Sequence, residues 1–448
     1  MTRKTILALA GLLAPVPLAA QLADPSTRAL GLANAYSTQA RGYEAPFWNP
    51  AMLAAPRRPG FSIGLPHVLI ETGSNTYNFS DFRRYSEEYL TDEDKQYLLD
   101  QIALDDSVLS IRTVAGISPI GISIGPFAFT AGTSTDMDFG LGRDAVELAL
   151  FGNARRSGPG ESFSFRGTRG GGWAATTLAG SFAQGFRTGL GHLAVGVTYK
   201  KVYGHFLGRG TETSSQFAVN PNFLARAQAH AIYTDYDPNF EVTGIGDLLG
   251  GEGSPGSGYG VDVGAVLTFG DRRLTLSAVV TNVAGSMEWD PERFRYDRVR
   301  YAVSQGSGGQ VFDTLITTSF TTSAAINADP AARALRDSVL AHANFSSVLR
   351  VGAAFRYGMI SFTSEGSLRL REGLDRQPER FLSAGGEIRL LNFIPLRAGI
   401  GTDFDATLML SAGTGIHLLG LNVDFSVASL SGSARPGFVL GLGAGLIW

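Results

Sequence analysis

The last twelve residues, 437–448, alternate between large apolar and small side chains. The apolar set occupies the even positions and comprises Phe438, Leu440, Leu442, Ala444, Leu446 and Trp448. Alternate side chains of a strand point to opposite faces, so this segment has one apolar face and one face made mainly of glycine. A transmembrane β-strand needs about 9–11 residues with apolar side chains outward and aromatic residues at the interface. The segment therefore predicts the last strand of a membrane barrel, with an edge strand of a soluble sandwich as the alternative.

The first twenty residues have the organisation of a secretory signal peptide. A charged start (Arg3, Lys4) precedes an apolar run over residues 6–18, and small residues suited to cleavage end at Ala20. The apolar run is too short to span a membrane as a helix. The sequence contains no cysteine, which excludes a lipid anchor at the cleavage site, disulfides and thiolate metal sites. We therefore expect residues 1–20 to be removed on export.

The same alternation recurs along residues 61–448 and predicts an all-β fold, a transmembrane antiparallel β-barrel of about fourteen strands. The 57 glycines among 448 residues are far above the usual share of about 7%. The net charge of −3 gives no reason to expect nucleic acid as a partner. Short helices are predicted in the loops, at residues 91–103, 143–151 and 330–342, the last capped by Asp329.

The lengths of the connections between strands predict which end of the barrel faces the periplasm. Two long interruptions, at residues 203–257 and 284–346, follow the fifth and seventh strands. Short turns are predicted near residues 119, 189, 271, 357 and 392. Outer-membrane barrels keep short turns on the periplasmic side and long loops outside. The sequence therefore predicts a protein of the outer membrane of a Gram-negative-type bacterium, surrounded by its lipid, with the N-terminal segment at the periplasmic end.

Residues 21–60 do not alternate and are rich in small residues and turn formers. Such a segment cannot cross lipid, because its backbone groups would lack hydrogen-bond partners, but it can pack inside a barrel. Asn49-Pro50 predicts a turn, and Phe47-Trp48 is suited to anchor that turn on the lumen wall. An ordinary loop before the first strand is the alternative. The predicted domains are a signal peptide (1–20), an N-terminal hatch or plug (21–60) and an outer-membrane barrel (61–448).

Two stretches of this segment resemble the N-terminal hatch of the FadL-like fatty-acid transporters and of their PorV-like relatives in type IX secretion. There a small-Arg-Ala-Leu-Gly run precedes an Asn-Pro-Ala turn. The corresponding plug residues here are Arg28, Gly31, Phe47, Trp48, Asn49, Pro50 and Ala51. The FadL-like resemblance implies uptake of a hydrophobic small molecule caught by the external loops. The PorV-like branch implies a non-transporting barrel that holds secreted protein cargo, and a passive structural barrel is a third alternative.

The later strands carry charges at inward-facing positions: Glu365, Arg369, Glu387, Arg389, Arg397 and Asp424. A mixed-sign network that holds a plug and solvates the lumen explains them better than acid–base chemistry. No nucleophile–His–acid arrangement can be placed among them, so we predict no enzymatic activity and no cofactor. The six histidines lack ligand spacing, and the run that begins at Asp235 lacks the glycine and glutamate of a calcium loop. No metal site is predicted.

The third predicted strand, residues 121–132, changes phase in its middle. Apolar residues occupy even positions up to Ile124 and odd positions from Phe127, and a shift of one residue exchanges the faces of a strand. The shift falls at Gly125-Pro126, where glycine permits a bulge and proline lacks a ladder donor. One interpretation is a bulge that only curves the wall. The other, implied by the kinked third strand of FadL-like barrels, is a lateral opening that releases an apolar ligand into the membrane.

Overall fold

The computed structural model describes residues 26–448 without 78–80, 82–83, 86–88, 103–107, 154, 157, 159–160, 219–223, 236–252, 271–272, 306–310, 376–377, 392, 405–406 and 433–435. The predicted signal peptide lies outside these residues. The run that begins at Asp235, which does not fit a calcium loop, lies outside them from residue 236 onward. The α-helices are α1 (Thr27–Leu30), α2 (Ala45–Trp48), α3 (Asp92–Asp100), α4 (Arg143–Phe151), α5 (Ser323–Ala328) and α6 (Pro330–Leu340). Among the described helices, none is both long enough and apolar enough to cross a membrane.

The structure has seventeen described β-strands. They are β1 (Phe61–Ser74), β2 (Val108–Ile124), β3 (Phe127–Gly142), β4 (Arg169–Thr188), β5 (Gly191–Ala218), β6 (Leu224–Thr234), β7 (Gly256–Phe269), β8 (Leu274–Trp289), β9 (Phe294–Gln305), β10 (Val311–Phe320), β11 (Ser347–Tyr357), β12 (Ile360–Arg371), β13 (Arg380–Leu390), β14 (Ile394–Thr402), β15 (Leu408–Leu418), β16 (Leu421–Ser431) and β17 (Gly437–Ile447). Of these, β4 and β5 are the longest.

Fourteen of these strands pair antiparallel in a closed ring. The ring follows chain order except that β5 pairs with β7 and β8 pairs with β11. The ring closes where β17 pairs with β1, with Val68 opposite Leu442. Closure leaves the ring without a free sheet edge, which lipid requires. The predicted fourteen-stranded antiparallel barrel is confirmed.

The outer face of the barrel is apolar. In β17, Leu440 and Leu442 are 42% and 56% exposed, whereas Gly441 and Gly443 face inward and are buried. Large apolar side chains are exposed in the same way around the ring, among them Phe129, Phe182, Val197, Val263, Leu276, Val351, Phe362, Leu382, Ile400, Leu410 and Phe425. At the periplasmic rim the rings of Phe61 and Trp448 stack, with their centroids 5.8 Å apart. A continuous apolar belt with aromatic residues at its rim needs lipid around it, so the protein resides in the outer membrane.

The remaining three strands extend the sheet beyond the external mouth of the barrel. β5 continues to Ala218 and pairs with β6, β6 pairs with β9, and β9 pairs with β10. The predicted loss of regular structure from residue 203 onward was therefore wrong for β5 and β6. Their alternation is lost because this part of the sheet packs against protein rather than lipid. The apolar core between the extension, α5 and α6 contains Trp173, Leu207, Ile232, Trp289, Phe294, Tyr296, Ile326, Val339 and Phe345.

The hairpin predicted at Ser118-Pro119 and the kink predicted at Gly125-Pro126 are both wrong. β2 continues to Ile124, and Gly125-Pro126 form the two-residue turn into β3, with φ at Gly125 of +57°. Two-residue hairpin turns favour glycine at such positions. The change of phase is therefore a reversal of the chain, and Gly125-Pro126 cannot open a continuous strand. The irregularity of this wall lies earlier, between Ile117 and Ile120, where β2 has one residue more than the facing part of β3.

Candidate functional site

Residues 26–59, called the plug below, lie inside the barrel, and most of their side chains are buried. The plug contains α1, α2 and two 3₁₀ helices, Gly42–Glu44 and Pro50–Ala54. These elements contact wall strands on both sides of the ring, including β4, β5 and β7 on one side and β15 to β17 on the other. A segment without long helices or strands keeps its backbone paired here because the wall supplies partners.

The Asn49-Pro50-Ala51 turn is fixed by the asparagine side chain. Asn49 Oδ1 accepts a hydrogen bond of 3.0 Å from the Ala51 N–H, which caps the 3₁₀ helix Pro50–Ala54. Asn49 Nδ2 donates to the Ala265 carbonyl in β7 at 3.3 Å. Proline in the first turn of the helix costs no hydrogen bond, because that N–H has no partner within the helix. The oxygen of this amide thus fixes the turn within the plug, and its nitrogen joins the turn to the wall.

Glycines on the inner face of the wall let the plug approach closely. A Cβ atom added to Gly196 in β5 would lie 2.5 Å from the Ala51 nitrogen. A Cβ added to Gly399 in β14 would lie 2.5 Å from the Leu32 carbonyl carbon. Gly31, the glycine of the first motif, faces Ser426 and Arg397 in the same tight contact. The high glycine content of the chain therefore provides the shape of the plug's binding surface as well as the small inner face of a barrel.

The two aromatic residues of the motif lie at different depths. Trp48 is buried, and its ring meets the ring of Tyr36 edge-on at 5.6 Å. The Arg350 guanidinium of β11 lies 4.7 Å from the centre of the Trp48 ring, a cation–π contact from the wall. Phe47 is only partly buried and packs against the same plug cluster, next to Gly132 of β3.

Arg28 is the cation at the centre of the plug. Its Nη1 lies 3.3 Å from Glu44 Oε2, and Glu44 also accepts hydrogen bonds from the Tyr36 hydroxyl at 2.7 Å and the Ser26 hydroxyl at 2.8 Å. Burial raises the pKa of Tyr36 well above its ordinary value, so the hydroxyl keeps the proton that it donates. Glu44 was missed at the sequence level. Its signal was that it is the only acidic residue among residues 26–59.

Four of the six predicted lumen residues form one chain of ion pairs on the wall. Arg397 bridges Glu387 at 2.8 Å and Asp424 at 2.7 Å, and Arg389 lies 2.8 Å from the other oxygen of Glu387. Asp424 also contacts His417 Nε2 at 3.0 Å and lies 4.0 Å from Arg28 Nε. Both carboxylates of this series of ion pairs, Glu387 and Asp424, are paired with cations. The arrangement can hold a plug in register but leaves no free base or nucleophile among the described groups.

The other two predicted lumen residues, Glu365 and Arg369, do not belong to this series of ion pairs. Glu365 accepts hydrogen bonds from the backbone N–H groups of Tyr36 at 3.2 Å and Ser37 at 2.8 Å, and Arg350 approaches it to 4.0 Å. Arg369 lies four residues further toward the external end of β12. Within the part of the chain that the structure describes, no group of three or more His, Cys, Asp or Glu side chains is arranged to hold a metal ion.

A cavity of about 320 Å³ lies at the external mouth, above the plug. Its apolar lining comes from Trp173, Leu207, Val339 and Leu374, and its charged lining comes from Asp136, Asp138, Arg169, Arg209, His342 and Glu372. Two indole N–H groups of the wall strands bind the segments next to the cavity. Trp173 Nε1 of β4 donates to the Leu374 carbonyl at 2.9 Å, and Trp289 Nε1 of β8 donates to the Ala343 carbonyl at 3.1 Å.

The sequence did not predict this cavity, because five separate stretches of the chain line it. Asp136 is held by Arg112, whose Nε and Nη2 donate to its two oxygens at 2.8 and 2.5 Å. Arg169 and Arg209 lie on adjacent strands and are exposed to the cavity. The cavity therefore combines an apolar wall with exposed cationic groups.

The sequence matches the model of a family of unknown function (DUF5723) over residues 50–412. No curated protein has a significant match. The fold is similar to that of the CymD monoaromatic hydrocarbon channel, with 11% identity, a TM-score of 0.47, and 96% of this chain and 99% of that chain covered. The Pseudomonas putida toluene transporter TodX has 10% identity, a TM-score of 0.47 and the same coverage. A Pseudomonas aeruginosa FadL homologue has 11% identity and a TM-score of 0.46, with 94% and 98% covered.

Proposed function

This chain belongs to the family of unknown function DUF5723, and we propose that it takes up a hydrophobic small molecule across the outer membrane. The external cavity is the observation that carries the proposal. Its volume of about 320 Å³ falls in the range of roughly 300–1,000 Å³ that is usual for small-molecule sites. Trp173 and Val339 provide an apolar wall for the body of the ligand. Arg169 and Arg209 provide a place for an anionic or strongly polar end, so the expected ligand is amphipathic.

We assign no enzymatic role to the protein. The titratable groups that come together in the lumen are engaged in ion pairs with one another and with the plug. The plug closes the straight path from the cavity to the periplasm, so a captured ligand needs either a displaced plug or an exit through the wall. The resemblance of the plug motifs to FadL-like hatches supports the same function.

A lateral exit is part of the proposal, at a place other than Gly125-Pro126. β1 and β2 pair at Gly64 with Gly121 and again at His67 with Ser118, and the residues between, 65–66 and 119–120, do not pair with each other. Each strand has a proline in this gap, Pro66 in β1 and Pro119 in β2, and proline has no N–H to donate. Both strands also bulge there relative to their other neighbours. Unpaired backbone within lipid needs protein or water to cover it.

Tyr43 of the plug supplies that cover from the inside. Its side chain packs against three wall glycines, Gly64, Gly121 and Gly445, where an added Cβ would lie within 3.0 Å of it. Its hydroxyl is 3.1 Å from His67 Nε2. Movement of the plug would withdraw Tyr43 and expose the gap between β1 and β2. We therefore propose that plug displacement and lateral exit are coupled through this one side chain.

A binding experiment tests the capture step. The probe is a fluorescent fatty acid, added to the full-length protein in a mild detergent that does not itself fill the cavity. Val339→Trp should fill the cavity and abolish binding of the probe. The matched control is Ala334→Trp, on the exposed side of the same helix. Equal binding by wild type and Val339→Trp would overturn capture in this cavity.

A second candidate function is the binding of a secreted protein, and β10 is the observation that favours it. Among the described strands, β10 pairs with β9 alone, so its other edge is free to add a strand. Leu315 and Ile316 on this strand are 65% and 51% exposed. If cargo binding is the function, Leu315→Lys with Ile316→Lys should abolish co-purification of a protein partner and leave fatty-acid binding intact. Absence of both activities from the wild-type protein would favour a passive structural barrel.

A further inference from the structure

A second, smaller cavity of about 40 Å³ lies at the periplasmic end, between the plug and the wall. The plug contributes Gln39, Arg41 and Arg57, and the wall contributes Arg356 and Ser361. These wall residues are next to the short turn between β11 and β12, which faces the periplasm. A buried water needs about 10–15 Å³ of such space, so the cavity has room for one small oxyanion.

Among the described residues that line this cavity, every charged side chain is an arginine. Arg41, Arg57, Arg273 and Arg356 line it, and the Arg273 guanidinium lies 5.6 Å from the centre of the Tyr357 ring. Arg41 donates one hydrogen bond of 2.8 Å to the backbone carbonyl of Arg57, which neutralises no charge. Burial and the neighbouring Arg356 lower the pKa of Arg41 to about 10, as expected for a cation among cations.

Two buried polar atoms in the same lining have no hydrogen-bond partner within the described structure. They are Gln39 Nε2 and Ser361 Oγ, on residues that are 9% and 5% exposed. One is on the plug and the other is on the wall. Buried polar atoms are satisfied in the great majority of proteins, so a pair left open in one cationic cavity indicates a missing acceptor.

We propose that this cavity binds a small soluble oxyanion, a carboxylate or a phosphate, that enters from the periplasm. Guanidinium groups match the two oxygens of such an anion, and the Gln39 amide and the Ser361 hydroxyl donate to its remaining lone pairs. A lipid headgroup is not the ligand, because the lining lies on the inner side of the barrel wall. The site does not depend on which molecule the barrel transports.

The position of the donors gives the anion a mechanical role. Gln39, Arg41 and Arg57 move with the plug, whereas Arg356 and Ser361 stay with the wall. A bound oxyanion therefore bridges the two, and its loss leaves cations of the plug and the wall facing each other. Oxyanion binding stabilises the closed position of the plug, and its release favours displacement.

The test uses the full-length protein in detergent and two probes, inorganic phosphate and acetate, against chloride at equal ionic strength. Calorimetry measures binding, and hydrogen exchange of residues 36–58 measures the closed plug. Phosphate or acetate should bind and slow exchange in this segment, and chloride should not. Arg356→Gln should weaken binding by about tenfold or more, as expected for loss of a charge-assisted hydrogen bond.

Arg187→Gln is the matched control, because Arg187 is an exposed arginine near the periplasmic end of β4 that does not line the cavity. It should bind as wild type does. Ser361→Ala keeps every charge and should weaken binding by a smaller factor, which covers the case in which Arg356→Gln does not fold. Absence of binding by wild type, or equal binding by wild type, Arg356→Gln and Ser361→Ala, would overturn the proposal.

Discussion

The carboxylate of Glu365, on the barrel wall, accepts a hydrogen bond of 2.8 Å from the backbone N–H of Ser37 in the plug. The same oxygen also accepts from the Tyr36 N–H at 3.2 Å. A non-helical stretch of the plug thus has its backbone donors satisfied by one wall residue. This contact attaches the plug directly to β12, and it leads to the first prediction.

Replacing Glu365 with alanine should loosen the plug. The change leaves two buried N–H groups unpartnered, at about 1–3 kcal/mol for each, and removes the carboxylate that faces Arg350. We expect higher conductance in planar bilayers and faster hydrogen exchange around residue 37. Glu365→Gln keeps an acceptor oxygen and should have a smaller effect. If both variants conduct as wild type does, this contact does not hold the plug.

Gly196→Ala tests the close approach of plug and wall. The added methyl would lie 2.5 Å from the Ala51 nitrogen, so the Asn-Pro-Ala turn has to move away from β5. We expect increased quenching of Trp48 fluorescence by iodide, measured in a variant whose other three tryptophans are phenylalanine. Gly180→Ala in β4 is the control, since an added Cβ there meets no atom within 4 Å. Equal quenching in both would contradict the proposed fit.

The lipid-facing side of β17 should not tolerate charge. Leu442→Arg places a guanidinium in the apolar belt and should cost about 2–4 kcal/mol if the residue lies near the midplane of the membrane. The measurement is reversible folding into lipid vesicles with urea. Leu442→Phe is a suitable control, whereas Gly443→Ala is not, because its methyl would collide with the His67 ring. Folding of Leu442→Arg at wild-type stability would show that this face does not contact lipid.

Asp329 should make the stability of α6 depend on pH. It caps the helix by accepting from the Ala331 and Ala332 N–H groups at 3.0 and 2.9 Å. The Ala332 N–H, and after it Arg298, lower the pKa of this carboxyl. A lowered folded-state pKa means that the stabilisation is complete above the ordinary value of about 4 and is lost as the pH falls through the folded-state value.

The measurement for Asp329 is hydrogen exchange of residues 330–340 at neutral and acidic pH. Asp329→Ala should destabilise the helix by about 1 kcal/mol at neutral pH, with little further loss in acid. Asp329→Asn should keep the cap and lose the pH dependence. An acid-induced loss of the same size in Asp329→Asn would assign the effect to another group.

Restoring the hydrogen bonds between β1 and β2 should close the proposed exit. Pro66→Val with Pro119→Val supplies the two missing N–H donors in the gap of the ladder. We expect uptake of the fluorescent fatty acid into vesicles to fall, while its binding in the external cavity persists. The control is Pro436→Val, outside the gap and just before β17. Undiminished uptake by the double variant would exclude an exit at this place.

The local sequence determined how many strands form the wall of the barrel and which of their faces meets lipid. The alternation from Phe438 to Trp448 places glycine inside and leucine outside in the structure, because period-two patterning acts on each strand independently of its neighbours. Helix ends were equally local: α4 spans the predicted residues 143–151, and α6 begins after its predicted cap. Capping residues act within one turn, so the sequence predicts them without knowledge of the fold.

Only the tertiary structure decided where β2 turns and what the buried charges do. Ser118-Pro119 and Gly125-Pro126 are both plausible turns by themselves, and the choice depends on the register that β1 and β4 impose on β2 and β3. Arg28 is 396 residues from its ion-pair partner Asp424, and Gln39 is 322 residues from Ser361, which lines the same cavity. Contacts between such distant residues depend on how the ring closes around the plug, because closure alone sets which inward-facing positions meet in the lumen.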